Sequence, residues 1–196
     1  MTIVFTAMRI AHTTLCLTEY HRYWTTNEDG EKVRNPKFTQ MCGRLLDVKG
    51  DPNGANFKAS VQVYALLLSK ALKDYPLAPY VSIDIAIVPK SEAGRVSPGL
   101  IAVAERLVAL DKRFVIPRSP MLVRTKTIEK LANGGNRAPW VHTASIDAII
   151  PRDRRGRAVL LLDDIGTTGN SLMACAELLY LAGAARVFPV VLGRTT

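Results

Sequence analysis

Apolar and polar positions along this chain switch between a helical period and short continuous apolar runs. Phe57, Val61, Tyr64, Leu68 and Leu72 recur at i, i+4, i+7, i+11 and i+15, which predicts a helix over residues 56–74 with one apolar face. Ile83 to Val88 is a short apolar run closed by Pro89 and predicts a buried strand. Residues 98–110 regain the helical period, with Leu100, Ala104, Leu107 and either Val108 or Leu110 turned inward. Phe114 to Ile116 and Leu122 to Val123 are short strand candidates. Residues 124–150 hold no persistent period and contain Gly134, Gly135 and Pro139, so they are expected to form an irregular excursion. Val159 to Leu162 predicts another buried strand, 171–182 a helix stopped by Gly183, and Val187 to Leu192 a last strand. This alternation implies an α/β fold, a parallel sheet with helices on both faces. In such sheets ligands bind beyond the carboxyl ends of the strands. Two loops fall there, Pro89 to Arg95 and Asp163 to Gly169.

Residues 1–50 read as a small, partly β appendage. Asn27-Glu28-Asp29-Gly30, between Tyr20–Trp24 and Lys32-Val33, is expected to turn a hairpin. Gly50-Asp51-Pro52-Asn53-Gly54 is the clearest punctuation in the chain, and the expected domain boundary lies there, leaving 51–196 as the main domain.

At 196 residues the chain suffices for one well-buried domain with an appendage. Glu177 and Arg186 interrupt the longest apolar stretch, which argues against a membrane span. Thr2 to Met8 is apolar but short and lacks a basic flank, so a signal peptide is not expected. Cys16, Cys42 and Cys175 are far apart and form neither a disulfide framework nor a zinc knuckle, which fits a reducing, cytoplasmic setting. The net charge of +9 favours polyanionic ligands and leaves a homodimer, a nucleic acid or a protein partner open. The one local basic cluster, Arg152 to Arg157, reads either as a solvated loop before a strand or as a contact for nucleic acid or a partner.

The chemistry concentrates in residues 158–171, Ala-Val-Leu-Leu-Leu-Asp-Asp-Ile-Gly-Thr-Thr-Gly-Asn-Ser. A strand, two carboxylates, a loop of small and hydroxyl residues and a helix N-terminus together suit a phosphorylated ligand. Free N–H groups and partial positive charge at the helix start attract phosphate, and glycine lets it approach the backbone. The acids suit ribose hydroxyls or a hard cation such as Mg2+. No Lys follows the glycine, which excludes a P-loop NTPase, and Gly166 and Gly169 do not supply the spacing of a dinucleotide fingerprint. The segment from Leu160 to Ser171 instead resembles, position by position, the loop that binds 5-phosphoribosyl pyrophosphate (PRPP), with a strand, two acids, a hydroxyl pair, Gly and a hydroxyl; a polar strand-to-helix turn without a ligand is the other reading.

Other segments supply candidate cations. Lys90, Ser91 and Arg95 sit in the loop after the first strand, where charge and the backbone N–H groups of Ser91 to Gly94 would receive pyrophosphate. Arg124 and Lys126 open the excursion, with Lys130 and Arg137 further in, and a glycine-hinged segment carrying cations suits a lid that excludes water. His12, His21 and His142 lack metal-ligand spacing and are expected to be surface or packing residues. Trp24 and Trp140 are expected to pack.

These motifs resemble the type I phosphoribosyltransferases, most closely their ComF or amidophosphoribosyltransferase-like group, over about residues 40–196. The segments that carry the resemblance are Arg44–Gly50, the helix at 56–74, Ile85–Pro89, Leu122–Thr125, the PRPP loop and Ala182–Val187. The resemblance implies a Rossmann-like parallel sheet with a flexible lid, and a Mg2+-dependent transfer of the 5-phosphoribosyl group from PRPP to a nitrogen acceptor. By the resemblance, Asp163 and Asp164 hold the ribose hydroxyls or their Mg2+ shell. Ile165, Gly166, Thr167, Thr168, Gly169, Asn170 and Ser171 cradle the 5-phosphate. Lys90, Ser91 and Arg95 take pyrophosphate, and Arg124 and Lys126 serve the lid. The four-Cys zinc element usual in ComF proteins is absent. A PRPP-binding regulatory or nucleic-acid-linked protein without turnover, such as a competence or defence component, is the alternative.

Overall fold

The structure, a computed structural model, describes residues 14–129 and 139–196. Its strands are β1 (Leu15–Tyr20), β2 (Trp24–Thr26), β3 (Lys32–Arg34), β4 (Ile83–Ile87), β5 (Phe114–Val115), β6 (Leu122–Arg124), β7 (Ile146–Ala148), β8 (Ala158–Gly166) and β9 (Arg186–Thr195). Its helices are α1 (Gln40–Lys49), α2 (Phe57–Ala71), α3 (Pro98–Leu110), α4 (Pro139–Thr143) and α5 (Asn170–Leu181).

Five strands form a wholly parallel sheet in the order β1-β9-β8-β4-β5. Such a sheet is covered on both faces, which is why β8 reads as an unbroken apolar run. Successive side chains of β8 alternate between two cores. Leu160 and Leu162 join Leu45, Tyr64, Leu68, Val103 and Leu107 on one face. Val159 and Leu161 join Leu172, Cys175, Ala176 and Leu179 on the other. Helix α3 therefore packs on one face and α5 on the opposite one. The connection β4-α3-β5 runs one way along the sheet and β8-α5-β9 runs the other way. The two connections diverge between β4 and β8, which are neighbours with Ile87 opposite Leu162. That divergence opens a crevice at the carboxyl ends of these two strands.

The predicted helices and core strands fall close to their expected places, with differences that bear on the site. Strand β8 continues through Asp163, Asp164 and Ile165 to Gly166, because β9 keeps pairing with it as far as Arg194. The acids are thus strand residues and not loop residues. Val103 takes an inward place on α3, while Leu110 is exposed. The excursion contains α4 and an antiparallel pair, β6 with β7.

The largest difference lies before residue 50. Strand β1 pairs with β9 inside the main sheet, Leu15 opposite Val190, and α1 buries Cys42, Leu45 and Val48. The expected boundary therefore separates segments that share one core, and of the described strands before residue 50 the β2–β3 hairpin stands outside the sheet. Thr39 caps α1 by accepting the Cys42 N–H at 3.3 Å. The end of α1 abuts the start of α3 so closely that a Cβ at Gly99 would lie 1.8 Å from the Val48 carbonyl oxygen. This contact holds α1 across the carboxyl edge of the sheet.

The basic cluster lies at the opposite edge. Arg154 donates to Asp84 Oδ1 at 2.6 Å, and Arg157 to Ser82 Oγ at 3.3 Å. Asp84 is wholly buried; desolvation raises its pKa, opposed by Arg154 and Arg157. These arginines serve the fold, which favours the loop reading of the cluster. Trp24 and Trp140, expected to pack, are exposed, and Trp24 lies under the Lys32 ammonium at 5.0 Å. Among the described residues no helix is long and apolar enough to cross a membrane.

Candidate functional site

The end of β8, the turn after it and the first turn of α5 form one wall of the crevice. Gly169 takes φ +77°, a left-handed conformation that suits glycine, and no side chain caps α5 there. The start of α5 carries the positive end of its helix dipole. Strand β9 braces the turn from behind. Thr195 Oγ1 donates to the Gly166 carbonyl at 3.2 Å and to Thr167 Oγ1 at 2.9 Å. Thr167 and Thr168 face solvent.

Two cavities flank this turn. One, of about 40 Å³, is lined by His142, Asp163 and residues 165–171. The other, of about 200 Å³, lies behind the turn and is lined by Thr14, Cys16, Met173, Val191 and Arg194 among others. All of the expected phosphate-loop residues, Ile165 to Ser171, border the first.

The two adjacent acids do not point the same way. Strand alternation sends neighbouring side chains to opposite faces. Asp163 faces the α5 side, where its Oδ1 accepts the Asp164 N–H at 2.8 Å. Asp164 faces the α1 side, where its Oδ1 accepts the Ile165 N–H at 2.6 Å and its Oδ2 meets Lys49 Nζ at 3.1 Å. Burial, and then the negative charge of Asp164, push the Asp163 pKa up to about 7, opposed by the Asp164 N–H and Lys49. The same enclosure, together with Asp163, pushes the Cys175 thiol up to about 12.

The second wall is the loop after β4. Lys90 N–H donates to the Arg95 carbonyl at 2.9 Å, closing a turn with Gly94 at φ +69°. The segment after β6 is laced to this loop. Gly94 N–H reaches the Arg124 carbonyl at 2.9 Å, Ala93 N–H reaches Thr127 Oγ1 at 3.0 Å, and Ile128 N–H reaches the Ser91 carbonyl at 2.9 Å. The N–H groups of Ala93 and Gly94, expected to face pyrophosphate, are therefore committed within the protein. Ser91 is partly exposed, while Lys90, Arg95 and Lys126 are exposed, with Arg95 Nε near Glu92 Oε2 at 3.7 Å.

Arg124 differs from its expected place in the lid. It is 2% exposed, and its guanidinium donates to the Lys90 carbonyl and, at 2.6 Å, to Ser145 Oγ. It is a brace between the β4 loop and the segment after α4, and burial lowers its pKa. Lys130, Gly134, Gly135 and Arg137, with His12, lie outside the described residues.

Three residues at the site had not been singled out from sequence for it. Lys49 belongs to a segment noted only for its resemblance. His142 and Arg194 reach the loop because α4 and β9 fold against it, a placement with no local signal.

A metal would find one free carboxylate here. Asp164 is engaged with Lys49, and among the described residues no three His, Cys, Asp or Glu side chains cluster. Mg2+ is usually held by one or two carboxylates plus substrate oxygens and water, and Asp163 Oδ2 suits that role.

Fold and site define a parallel α/β protein with a loop of glycine and hydroxyl residues at its switch point. No protein-family model matches the chain, and no curated protein matches it in sequence. Among solved structures it is similar to a ternary substrates complex of hypoxanthine phosphoribosyltransferase from Trypanosoma cruzi, at 14% identity and a TM-score of 0.39, covering 69% of this chain and 66% of that one. A second structure of the Trypanosoma cruzi enzyme gives 14% identity and a TM-score of 0.40, covering 69% of this chain and 63% of that one. The chain thus spans just under two thirds of the length of these two proteins.

Proposed function

We propose that the protein binds Mg-PRPP and transfers its 5-phosphoribosyl group to a nitrogen acceptor, releasing pyrophosphate. The observation that carries this reading is the placement of the 163–171 segment, with its acid pair, hydroxyl pair and uncapped helix start, beside the cationic 90–95 loop across the switch point. The pattern of that segment selects PRPP over ATP and dinucleotides, and the crevice gives its two ends separate walls.

In this reading the turn 166–169 and the first residues of α5 hold the 5-phosphate, and Asp163 takes a ribose hydroxyl. Lys90 and Arg95 receive the departing pyrophosphate, with Ser91 contributing its hydroxyl or N–H. The transition state develops positive charge at C1 of the ribose, so the protein's task is to position the ring and stabilise the leaving group, with no covalent protein nucleophile. Asp163 would hold Mg2+ together with substrate oxygens, and bound Mg2+ would neutralise pyrophosphate charge. Lys49 orients Asp164 beneath the site. Arg124 fixes the shape of the pyrophosphate loop from inside. Three unpaired thiols support the reducing, cytoplasmic setting that belongs to this reading.

One observation favours binding without turnover, the alternative reading. Arg124, expected to supply the lid's charge, is committed to internal bonds. Incubation with Mg-PRPP and a panel of nucleobases and amines separates the two. Pyrophosphate release with a new glycoside establishes transfer, whereas tight binding with no release on any acceptor selects the second reading.

A further inference from the structure

We infer that His142 completes the phosphate site, its Nδ1 donating a hydrogen bond to the phosphate that the 166–171 segment holds. This rests on the PRPP reading and adds to it a side-chain contact from α4. His142 is 3% exposed and lines the 40 Å³ cavity opposite residues 165–171. Its Nδ1 is buried without a partner among the described residues. Buried polar atoms are nearly always paired, and an unpaired one on a residue that lines a cavity bounded by a helix N-terminus is the observation behind an acceptor from a ligand here. The only other such side-chain atom described, Asp84 Oδ2, lies at the far edge of the sheet.

The backbone that carries the ring is held in place from behind. Ser145 Oγ donates to the Val141 carbonyl at 2.6 Å and accepts from Arg124, and Ser145 N–H donates to the His142 carbonyl at 3.1 Å. Arg124 thus braces both the 90–95 loop and the turn that carries His142. Burial, and then the Arg124 charge, lower the His142 pKa, so the ring is neutral at pH 7 and carries one N–H. A phosphate oxygen in the cavity selects the tautomer with that proton on Nδ1. The ligand class we assign to this small cavity is a terminal phosphomonoester, the end of PRPP that the 166–171 segment holds in the proposed reading.

Calorimetric titration of ribose 5-phosphate and of Mg-pyrophosphate into the wild type, His142→Phe and His142→Asn tests this. Asn places its amide nitrogen close to the Nδ1 position. His142→Phe is expected to lose about tenfold or more in ribose 5-phosphate affinity, the scale of a hydrogen bond to a charged group, with pyrophosphate affinity unchanged. His142→Asn is expected to stay within about threefold of the wild type, less than the loss of one such bond. Nitrogen NMR of the wild type should show the His142 Nδ1 signal moving with ribose 5-phosphate and not with pyrophosphate. Equal ribose 5-phosphate affinity in the wild type and a folded His142→Phe, or an unmoved Nδ1 signal at saturation, overturns the inference. If inorganic phosphate moves the Nδ1 signal but neither ribose 5-phosphate nor PRPP binds, the PRPP reading falls and the His142 contact stands. If no phosphate binds the wild type, both fall.

Discussion

Lys49, in the last turn of α1, meets Asp164 on β8 at 3.1 Å, while Asp163 one residue earlier turns away toward α5 and the cavity. One acid is tied to a helix packed on the other face of the sheet, and its neighbour borders the cavity. The division follows from strand geometry and separates the roles of two residues that read as a pair.

The Lys49–Asp164 contact is partly open to solvent, so its worth to stability is small. Lys49→Met is expected to change unfolding free energy by about 0–1 kcal/mol. It should disturb PRPP affinity more than stability, because Asp164 loses the group that orients it. Urea denaturation beside a PRPP titration reads both, and a loss of several kcal/mol with unchanged affinity would place Lys49 in the scaffold alone.

Asp163 makes stability depend on pH. Its folded pKa of about 7 lies above the ordinary carboxylate value. Between those values the folded state holds a proton that the unfolded chain releases. Its contribution to stability is therefore complete below about pH 4 and is lost as pH rises through about 7. Asp163→Asn removes this dependence and should gain on the wild type, by on the order of 1 kcal/mol, between pH 5 and pH 8. Urea midpoints that move in parallel over that range would contradict the burial argument.

Much of this site is legible in the chain because it is local. The β8-to-α5 segment carries its strand, acids, turn and helix start in consecutive residues, and each has its own composition. Gly183, at φ +110°, stops α5 where expected. What escaped is what depends on distant packing. Strand β1 finds its partner across the whole chain, Leu15 against Val190, and nothing in its sequence distinguishes a sheet strand from an appendage. Arg124 reads as a cation in a loop, yet its burial is set by Lys90 and Ser145. His142 reads as isolated because its relation to Asp163 exists only after α4 packs on α5.

The joint of α1 with α3 should tolerate no side chain. At Gly99 a Cβ would lie 1.8 Å from the Val48 carbonyl oxygen, a backbone atom that cannot rotate away. Gly99→Ala is expected to cost about 3 kcal/mol or more, at or above the usual range for overpacking. Thermal unfolding checks this, and a change under 1 kcal/mol would mean that the two helices separate easily.

Arg124 links three segments by its side chain alone. Arg124→Met keeps length but leaves the Lys90 carbonyl without its donor, at a cost of about 1–3 kcal/mol. Pyrophosphate affinity should fall with stability, since the 90–95 loop loses its inner support. A variant with wild-type stability and affinity would show the brace to be dispensable.

Calorimetric titration of Mg-PRPP into the wild type and into Asp163→Ala with Asp164→Ala tests the central claim most directly. The account predicts one site per chain in the wild type and no measurable binding in the variant, with the variant still folded by circular dichroism. Equal affinity in both proteins, or no binding in the wild type, would contradict it.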